Sequence, residues 1–237
     1  NLALEKTLED LQLDYIDLYM IHFPISLKFV PFAERYPPEW FNDPDSNDPK
    51  MIPSRVSLSD TWHAMESLKQ GERTKYLGVC NYSSGLIHDL MNYCEIKPDI
   101  LQIESHPHLT QEKLIRLAKN YGLEVTAFSP LGSISYEEIG GAEETESLLR
   151  NETIKSTAKE LEISPAQLVL SWALNRGTSI VVKSTNEKRM KENLDASKIK
   201  LEQSVLEKIS ALNINRRYND PGIFCEDAFN TFFPIYD

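Results

Sequence analysis

The sequence has few cysteines, no long apolar run and no excess of positive charge. Its three cysteines, Cys80, Cys94 and Cys225, lie far apart and form no Cys-x-x-Cys pair. This pattern excludes a disulfide framework and a zinc site of closely spaced cysteines, and it predicts reduced thiols. No stretch approaches the roughly 18 apolar residues that span a bilayer, and the first residues lack the basic and apolar regions of a signal peptide. We therefore expect a cytoplasmic protein with no membrane partner.

The charge balance is acidic. The sequence contains 25 lysines and arginines and 36 aspartates and glutamates, which gives a formal net charge of −11. Because binding to phosphates needs a basic surface, we expect no nucleic-acid partner. The length of 237 residues, with 41% hydrophobic residues, is sufficient for a domain with a sizeable core.

Short apolar runs alternate with amphipathic helical patterns along the chain. The five runs cover residues 15–23, 75–82, 99–106, 123–130 and 178–184. They are almost continuously apolar, as expected for strands buried on both faces of a parallel sheet. Ser59, Thr110 and Ser164 are predicted N-caps of the helices between them, and the first residues also predict a helix.

Repeated strand–helix units predict an α/β fold, either a barrel or a doubly wound sheet. No Gly-x-Gly-x-x-Gly turn follows any strand, so the dinucleotide-binding turn of a Rossmann fold is missing. Polar residues also gather where the predicted strands end, and a barrel builds its active site at that face. These residues are His22, Asn81, Gln102, Glu104, Ser129, Lys183 and Ser184. The sequence therefore favours a TIM-type (β/α)8 barrel.

The number of strands is too small for a closed barrel. Five strands are predicted where eight are needed, and the chain opens on a helix. At roughly 30 residues per unit, about 90 residues are unaccounted for. We expect a single barrel domain over 1–237 that is N-terminally incomplete, with the first three βα units absent from this chain.

The segment 24–58 interrupts the alternation. It contains seven of the thirteen prolines and several aromatic residues, and it has no clear periodicity. Because it leaves the same strand end as His22, we expect a long substrate-side loop; the alternative is a packed loop without a role in the site. The segment 213–237 is expected to be a C-terminal loop and tail.

Three groups of residues could carry chemistry. A neutral imidazole at His22 could orient a carbonyl group or relay a proton, although a histidine in such a place can also be a packed core residue. Neutral groups at Asn81, Gln102 and Ser129 suit an uncharged amide ligand such as a nicotinamide carboxamide. The aromatic face of Phe128 could stack on a flat heterocycle.

The third group is the segment 181–193, VVKSTNEKRMKEN. A helix that begins near Glu187, with Lys183 and Arg189 beside its free N–H groups, predicts an anion site. The alternative is a solvated helix start with ordinary surface charges. The pair His106 and His108 could suggest a metal, but no carboxylate or third histidine has supporting spacing, so no metal is expected.

Five motifs in register carry a family resemblance. DYIDLYMIHFP, GVCNYS, QIESHPHL, VTAFSPLGS and VVKSTNEKRMKENLD resemble the aldo-keto reductases, particularly the xylose reductase and aldose reductase branch. The resemblance covers nearly the whole chain. It implies an (α/β)8 barrel that binds NADPH (NADP+), less often NADH, and reduces small carbonyl compounds or aldoses by hydride transfer. The expected assembly is a monomer or a homodimer.

The resemblance also implies roles for individual residues. His22 matches the histidine of the catalytic tetrad, and Phe23 and Asn219 match substrate-pocket positions. Phe128 stands where a tyrosine usually stacks on the nicotinamide ring. The cofactor positions are Asn81 and Gln102 for the carboxamide, Ser129, Leu131 and Ser133 for the pyrophosphate, Lys183, Ser184, Thr185, Asn186 and Arg189 for the 2′-phosphate, and Glu192 and Asn193 for the adenine.

The tetrad also needs an aspartate, a tyrosine and a lysine from the first strands, and these cannot be placed here. The tyrosine is the general acid, so the chain as given is expected to have little or no reductase activity. Two alternatives stay open. One is a non-catalytic nicotinamide-nucleotide-binding or regulatory barrel protein, and the other is a barrel enzyme that acts on sugar phosphates.

Overall fold

The structure is a computed structural model that describes residues 2–137 and 140–236. Within that part of the chain, helices alternate with short strands. The helices are α1 (Leu2–Leu11), α2 (Leu58–Gln70), α3 (Ser84–Tyr93), α4 (Glu112–Asn120), α5 (Ile134–Glu137), α6 (Glu152–Glu160), α7 (Pro165–Asn175), α8 (Glu187–Asp195), α9 (Gln203–Ser210) and α10 (Pro221–Phe229). The strands are β1 (Ile16–Ile21), β2 (Thr74–Cys80), β3 (Ile100–Glu104), β4 (Glu124–Phe128) and β5 (Ser179–Ile180).

The chain divides into two compact units. The first unit comprises Asn1–Ile100 with Asn219–Asp237, and the second unit comprises Leu101–Tyr218. In both units, strands pair in parallel and helices connect them, which is the α/β arrangement expected from the sequence and is consistent with a TIM-type barrel. Within residues 2–137 and 140–236, every helix is too short or too polar to span a bilayer.

In the first unit, β1 and β2 form a parallel pair. The register runs from Ile16 opposite Thr74 to Ile21 opposite Val79. Gly78 of β2 also lies close to the first residue of β3, because an added Cβ would lie 2.9 Å from the carbonyl oxygen of Ile100. Glycine is therefore required at this point of the strand, because any side chain would collide with backbone.

Helix α2 connects the two strands and packs against β2. The Ser57 hydroxyl accepts a hydrogen bond from the amide of Asp60, and the helix ends at Gly71. The predicted N-cap, Ser59, is therefore wrong by two residues, because it lies within the first turn instead of preceding it. The Trp62 side chain is fully buried, and its indole N–H donates to the carbonyl oxygen of Ile96 at 3.0 Å.

The long segment 24–58 forms no helix or regular strand before α2, yet its two arms are joined by backbone hydrogen bonds. Lys28 donates to the carbonyl oxygen of Ile52, and Ser54 donates to that of Ser26, both at 2.8 Å. Met51 also donates to the Thr231 hydroxyl at 3.0 Å. The segment is thus a folded loop that is attached to the C-terminal residues of the same unit.

In the second unit, β4 and β5 pair in parallel through Thr126 opposite Ser179 and Ala127 opposite Ile180. Helix α7 packs its apolar side into the core of this unit, where Trp172 is completely buried. The predicted cap of this helix is confirmed. Ser164 forms a capping box with Gln167, and a proline occupies the first turn.

Three further sequence expectations need adjustment. The predicted N-cap Thr110 is wrong, because Gln111 precedes α4 and no side chain caps this helix. The last apolar run, 178–184, forms a strand of only two residues, because ladder pairing with β4 reaches no further than Val181. The segment 213–237, expected to be loop and tail, includes helix α10. Asp220 caps this helix through the amide of Gly222, and Pro221 occupies its first position, so the local sequence is a good helix start.

Candidate functional site

His22 directly follows β1 in the first unit. Its ring lies 4.6 Å from the Phe23 ring, at an interplanar angle of 42°. Desolvation by the surrounding residues lowers the pKa of His22 below its ordinary value. The imidazole is therefore neutral at physiological pH, with one nitrogen able to donate a hydrogen bond and the other able to accept one.

Asn81 directly follows β2 and contacts the backbone of His22. Its side chain is only 2% exposed, and its amide nitrogen donates to the carbonyl oxygen of His22 at 2.8 Å. The amide oxygen accepts from the Tyr236 hydroxyl at 2.9 Å. The backbone of Asn81 is left-handed, with φ of 63°, a conformation that asparagine tolerates better than most residues. The structure thus brings together the two strand-end residues predicted in this unit.

An aromatic cluster lies beside His22. Phe23 meets Trp40 edge to face at 5.1 Å, and Trp40 stacks on Phe229 at 5.4 Å. Phe224 also contacts Trp40, at 5.7 Å. The cluster joins the loop 24–58 to helix α10 and forms an apolar wall next to the imidazole.

The aromatic residues of α10 were not identified from the sequence. Phe224 and Phe229 are five positions apart in a segment expected to be irregular, so no helical periodicity drew attention to them. Asn219, a predicted substrate-pocket residue, directly precedes the Asp220 cap of the same helix. The capping signal Asn-Asp-Pro was the feature that could have revealed this helix.

In the second unit, Phe128 ends β4 and Ser129 follows it. Ser129 is left-handed, with φ of 47°, and its hydroxyl lies 2.9 Å from the Tyr136 hydroxyl. Ser133 is fully buried, and its hydroxyl donates to the Glu137 carboxylate at 2.9 Å. Of the other predicted residues here, Leu131 packs against the core of the second unit, and Gln102 is half-buried in β3.

A surface pocket of about 550 Å3 lies at the start of α8. Three predicted cofactor residues, Lys183, Ser184 and Asn193, line it together with apolar side chains. The apolar residues include Ile180, Val182 and Met190. The pocket thus combines a cation and neutral polar groups with an apolar floor, which suits a phosphorylated nucleoside.

The start of α8 is organised by short-range hydrogen bonds. The Ser184 hydroxyl accepts from the amide of Asn186 at 3.1 Å, and the Asn186 side chain accepts from the amide of Arg189 at 3.0 Å. Lys183 and Arg189 are exposed cations on either side of this cap. Thr185 is exposed between them, and Glu192 lies on α8 with its carboxylate 3.9 Å from the Lys188 amine. Arg189 and Glu192 do not line the pocket.

The aldo/keto reductase family matches residues 2–214 of the sequence. The chain belongs to this family. An NAD(P)H-dependent D-xylose reductase of Kluyveromyces lactis is 43% identical over 234 residues, which are 97% of this chain and 71% of that protein. The NAD(P)H-dependent D-xylose reductase of Scheffersomyces stipitis is 41% identical over 222 residues, 92% of this chain and 69% of that protein.

A solved structure shows the same fold. The aldose reductase of Giardia lamblia superimposes with a TM-score of 0.80 at 30% identity, over 99% of this chain and 72% of that one. The predicted family and its xylose and aldose reductase branch are therefore confirmed, and with them the assignment to an oxidoreductase family. The roles of the individual residues stay predictions.

A buried polar network in this aldo/keto reductase was not predicted as such. Glu104 is completely buried, and its carboxylate accepts from the backbone amide of Tyr218 at 2.8 Å and from the His106 ring at 3.0 Å. The His108 ring lies 3.2 Å from the Tyr218 hydroxyl. Burial and the neighbouring His106 lower the pKa of His108. Glu104, which was expected at the active face, is instead committed to these contacts.

This network also explains the pair of histidines that could have suggested a metal. One nitrogen of each ring contacts a protein group, and the described residues contain no cluster of histidine, cysteine and carboxylate side chains suited to a metal ion. The spacing His106-x-His108 brings both rings to Tyr218, and the first of them also to Glu104.

Proposed function

We propose that this chain is part of an enzyme that reduces small aldehydes, aldoses in particular, to alcohols. The hydride donor in this proposal is NADPH, with NADH as an alternative cofactor. The observation that carries the proposal is the pair His22 and Asn81, hydrogen-bonded to each other at adjacent strand ends beside an aromatic wall. The names of the D-xylose reductases to which the chain is similar support both the aldose substrate and the nicotinamide cofactor.

His22 orients the substrate in this proposal. A neutral imidazole donates one N–H to the carbonyl oxygen and so directs the carbonyl carbon toward the hydride donor. Phe23 and Trp40 offer an apolar surface at the side of the imidazole, and Asn219 offers a polar group for a sugar hydroxyl. The loop 24–58 covers the substrate side.

The chemistry of the side chains fits the cofactor. When bound, NADPH supplies the hydride. Asn81 and Gln102 are assigned to the carboxamide, Phe128 to the ring face, and Ser129, Leu131 and Ser133 to the pyrophosphate. Lys183, Ser184, Thr185, Asn186 and Arg189 are assigned to the 2′-phosphate, and Glu192 and Asn193 to the adenine. The exposed cations beside the α8 cap support NADPH over NADH, because the 2′-phosphate adds negative charge.

The count of strands supports an incomplete barrel. The described residues form five strands, and a closed barrel has eight. Apolar side chains are exposed on both units, Leu11 and Leu13 on the first and Val181 and Leu194 on the second. We propose that the first three βα units, with the general acid, are absent from this chain, and that the complete domain works in the cytoplasm.

The proposal is tested with the purified 237-residue chain. Quenching of tryptophan fluorescence during titration with NADPH measures binding, and the loss of NADPH absorbance in the presence of xylose measures turnover. We expect binding in the micromolar range without turnover. Turnover at the rate of an intact relative would refute the absence of the acid, and a lack of binding would refute the cofactor assignment.

A further inference from the structure

The C-terminal residues of the first unit reach the side chain of Asn81. The Tyr236 hydroxyl and the Asn81 amide oxygen are 2.9 Å apart, and the Asn81 amide nitrogen is 2.8 Å from the carbonyl oxygen of His22. In sequence, Tyr236 lies 155 positions from Asn81, and Asn81 lies 59 positions from His22. A chain of two hydrogen bonds thus connects the last residues with both strand ends of the candidate site.

The direction of each hydrogen bond follows from the groups involved. A backbone carbonyl oxygen can only accept, so the NH2 group of Asn81 must face His22. The amide oxygen then faces Tyr236, and the phenol must donate its proton. With the amide flipped, two acceptors would oppose each other at His22. The observed orientation of Asn81 is therefore the one that both partners stabilise.

These two contacts do not use all the hydrogen-bond donors and acceptors of the Asn81 amide. A primary amide has two N–H donors and two acceptor lone pairs, and Asn81 uses one of each in these contacts. One donor and one acceptor remain, which is what a second amide needs for a pair of hydrogen bonds. The Tyr236 hydroxyl therefore leaves hydrogen-bonding groups of Asn81 for a second amide while it restrains the orientation of the Asn81 side chain.

Tyr236 is held in place by the residues before it. The Thr231 amide donates to the carbonyl oxygen of Cys225 at 3.2 Å, and the Thr231 hydroxyl accepts from the amide of Met51. Pro234 packs so closely on Gly222 that an added Cβ there would lie 3.1 Å from the proline ring. Such a fixed approach costs little entropy when the hydroxyl meets Asn81.

We propose that Tyr236 is a positioning residue for recognition of the nicotinamide carboxamide, acting through Asn81. The proposal rests on the proposed function, because it deepens the assignment of Asn81 to the cofactor. It makes the C-terminal residues part of the cofactor site, although they touch no cofactor atom themselves.

The test compares two ligands on two variants of the 237-residue chain. NADP+ contains the carboxamide, and 2′-phospho-ADP-ribose has the same phosphates and adenine without the nicotinamide. The variant Tyr236→Phe removes only the hydroxyl. The control Tyr76→Phe removes the hydroxyl of an exposed tyrosine on β2.

We expect Tyr236→Phe to weaken NADP+ binding about fivefold, as for the loss of one neutral hydrogen bond, and to leave 2′-phospho-ADP-ribose unchanged. Tyr76→Phe should change neither. An equal loss for both ligands would indicate a merely structural role and overturn the proposal. No loss, or tighter NADP+ binding, would overturn it as well, since tighter binding means that the tyrosine competes with the cofactor.

A second measurement needs no ligand. In 15N-labelled chain, the side-chain NH2 protons of Asn81 should exchange with solvent faster in Tyr236→Phe than in the wild type, because the amide loses one restraint. Equal exchange rates would overturn the proposal even if the proposed function holds. If the wild-type chain binds neither ligand, the proposed function itself fails, and the positioning role fails with it.

Discussion

Replacement of Glu104 by leucine should destabilise the protein far more than replacement by glutamine. The Glu104 carboxylate is completely buried and accepts from the Tyr218 amide and the His106 ring, while Arg217 lies 3.7 Å away. Leucine provides no acceptor, so two buried N–H groups would lose their partner. Each costs about 1–3 kcal/mol, and we therefore expect a loss of about 4 kcal/mol in the free energy of unfolding.

Glutamine keeps one acceptor oxygen at nearly the same position. It can preserve both hydrogen bonds, but it loses the attraction between the carboxylate and Arg217 and turns an NH2 group toward that guanidinium, so we expect a loss of about 1–2 kcal/mol. Urea unfolding followed by circular dichroism measures both values. The variant Glu160→Gln, on the exposed end of α6, is the control and should lie within about 0.5 kcal/mol of the wild type.

The comparison can contradict the reasoning in two ways. If Glu104→Leu were as stable as Glu104→Gln, the hydrogen bonds of the buried carboxylate would not determine the stability of this region. If both variants were as stable as the control, the contacts to Tyr218 and His106 would have no net effect. Either result would mean that the hydrogen bonds of Glu104 do not stabilise the second unit as argued here.

Three further predictions concern the pH response, a close backbone contact and cofactor preference. Because the pKa of His22 is depressed below its ordinary value of 6.5 in the folded state, the unfolded chain binds more protons. The contribution of neutral His22 to stability is therefore present above pH 6.5 and is lost as the pH falls below it. In a plot of the urea unfolding midpoint against pH, His22→Gln should flatten the decline below pH 6.5. Gly78→Ala should cost about 1–3 kcal/mol in urea unfolding, whereas Gly85→Ala, in the open first turn of α3, should be neutral or stabilising. Lys183→Ala with Arg189→Ala should weaken NADPH binding about tenfold and leave NADH binding unchanged in parallel fluorescence titrations; equal loss for both would refute their assignment to the 2′-phosphate.

The five strands and the helices α1, α2, α4, α7 and α8 could be predicted from the sequence because their signals are local, whereas α10 was expected to be irregular. Near-continuous apolar runs fall on all five strands of the described residues, and the serine and proline at the start of α7 form the expected cap. The boundaries depend on contacts that the sequence does not show. Ser59 is the cap predicted for α2, whereas the hydrogen bond from the Asp60 amide makes Ser57 the cap. Likewise, the β-branched run 178–184 predicts a strand, but its length depends on how far β4 can pair with it.

The candidate site could be predicted only in part, because its decisive contacts join distant segments. The polar residues at strand ends were visible in the sequence, and so was the cluster at 183–193. The aromatic wall was not, since Trp40 and Phe229 come together only through the folded loop and α10. Nor could the sequence reveal that Tyr236 meets Asn81 across 155 residues.

A polar residue at the end of a parallel strand can serve the fold or the ligand, and the structure separates the two cases by the donors and acceptors still available. Each of the two Glu104 carboxylate oxygens lies against donors of the protein in a fully buried place, so this residue acts on the fold. Asn81, only 2% exposed, has contacts that occupy one donor and one acceptor of its amide, so one of each remains for a ligand, which we propose is a carboxamide. The same strand-end signal therefore has two meanings. For Glu104 and Asn81, substitution should reveal the difference as a loss of stability in one case and a loss of nicotinamide recognition in the other.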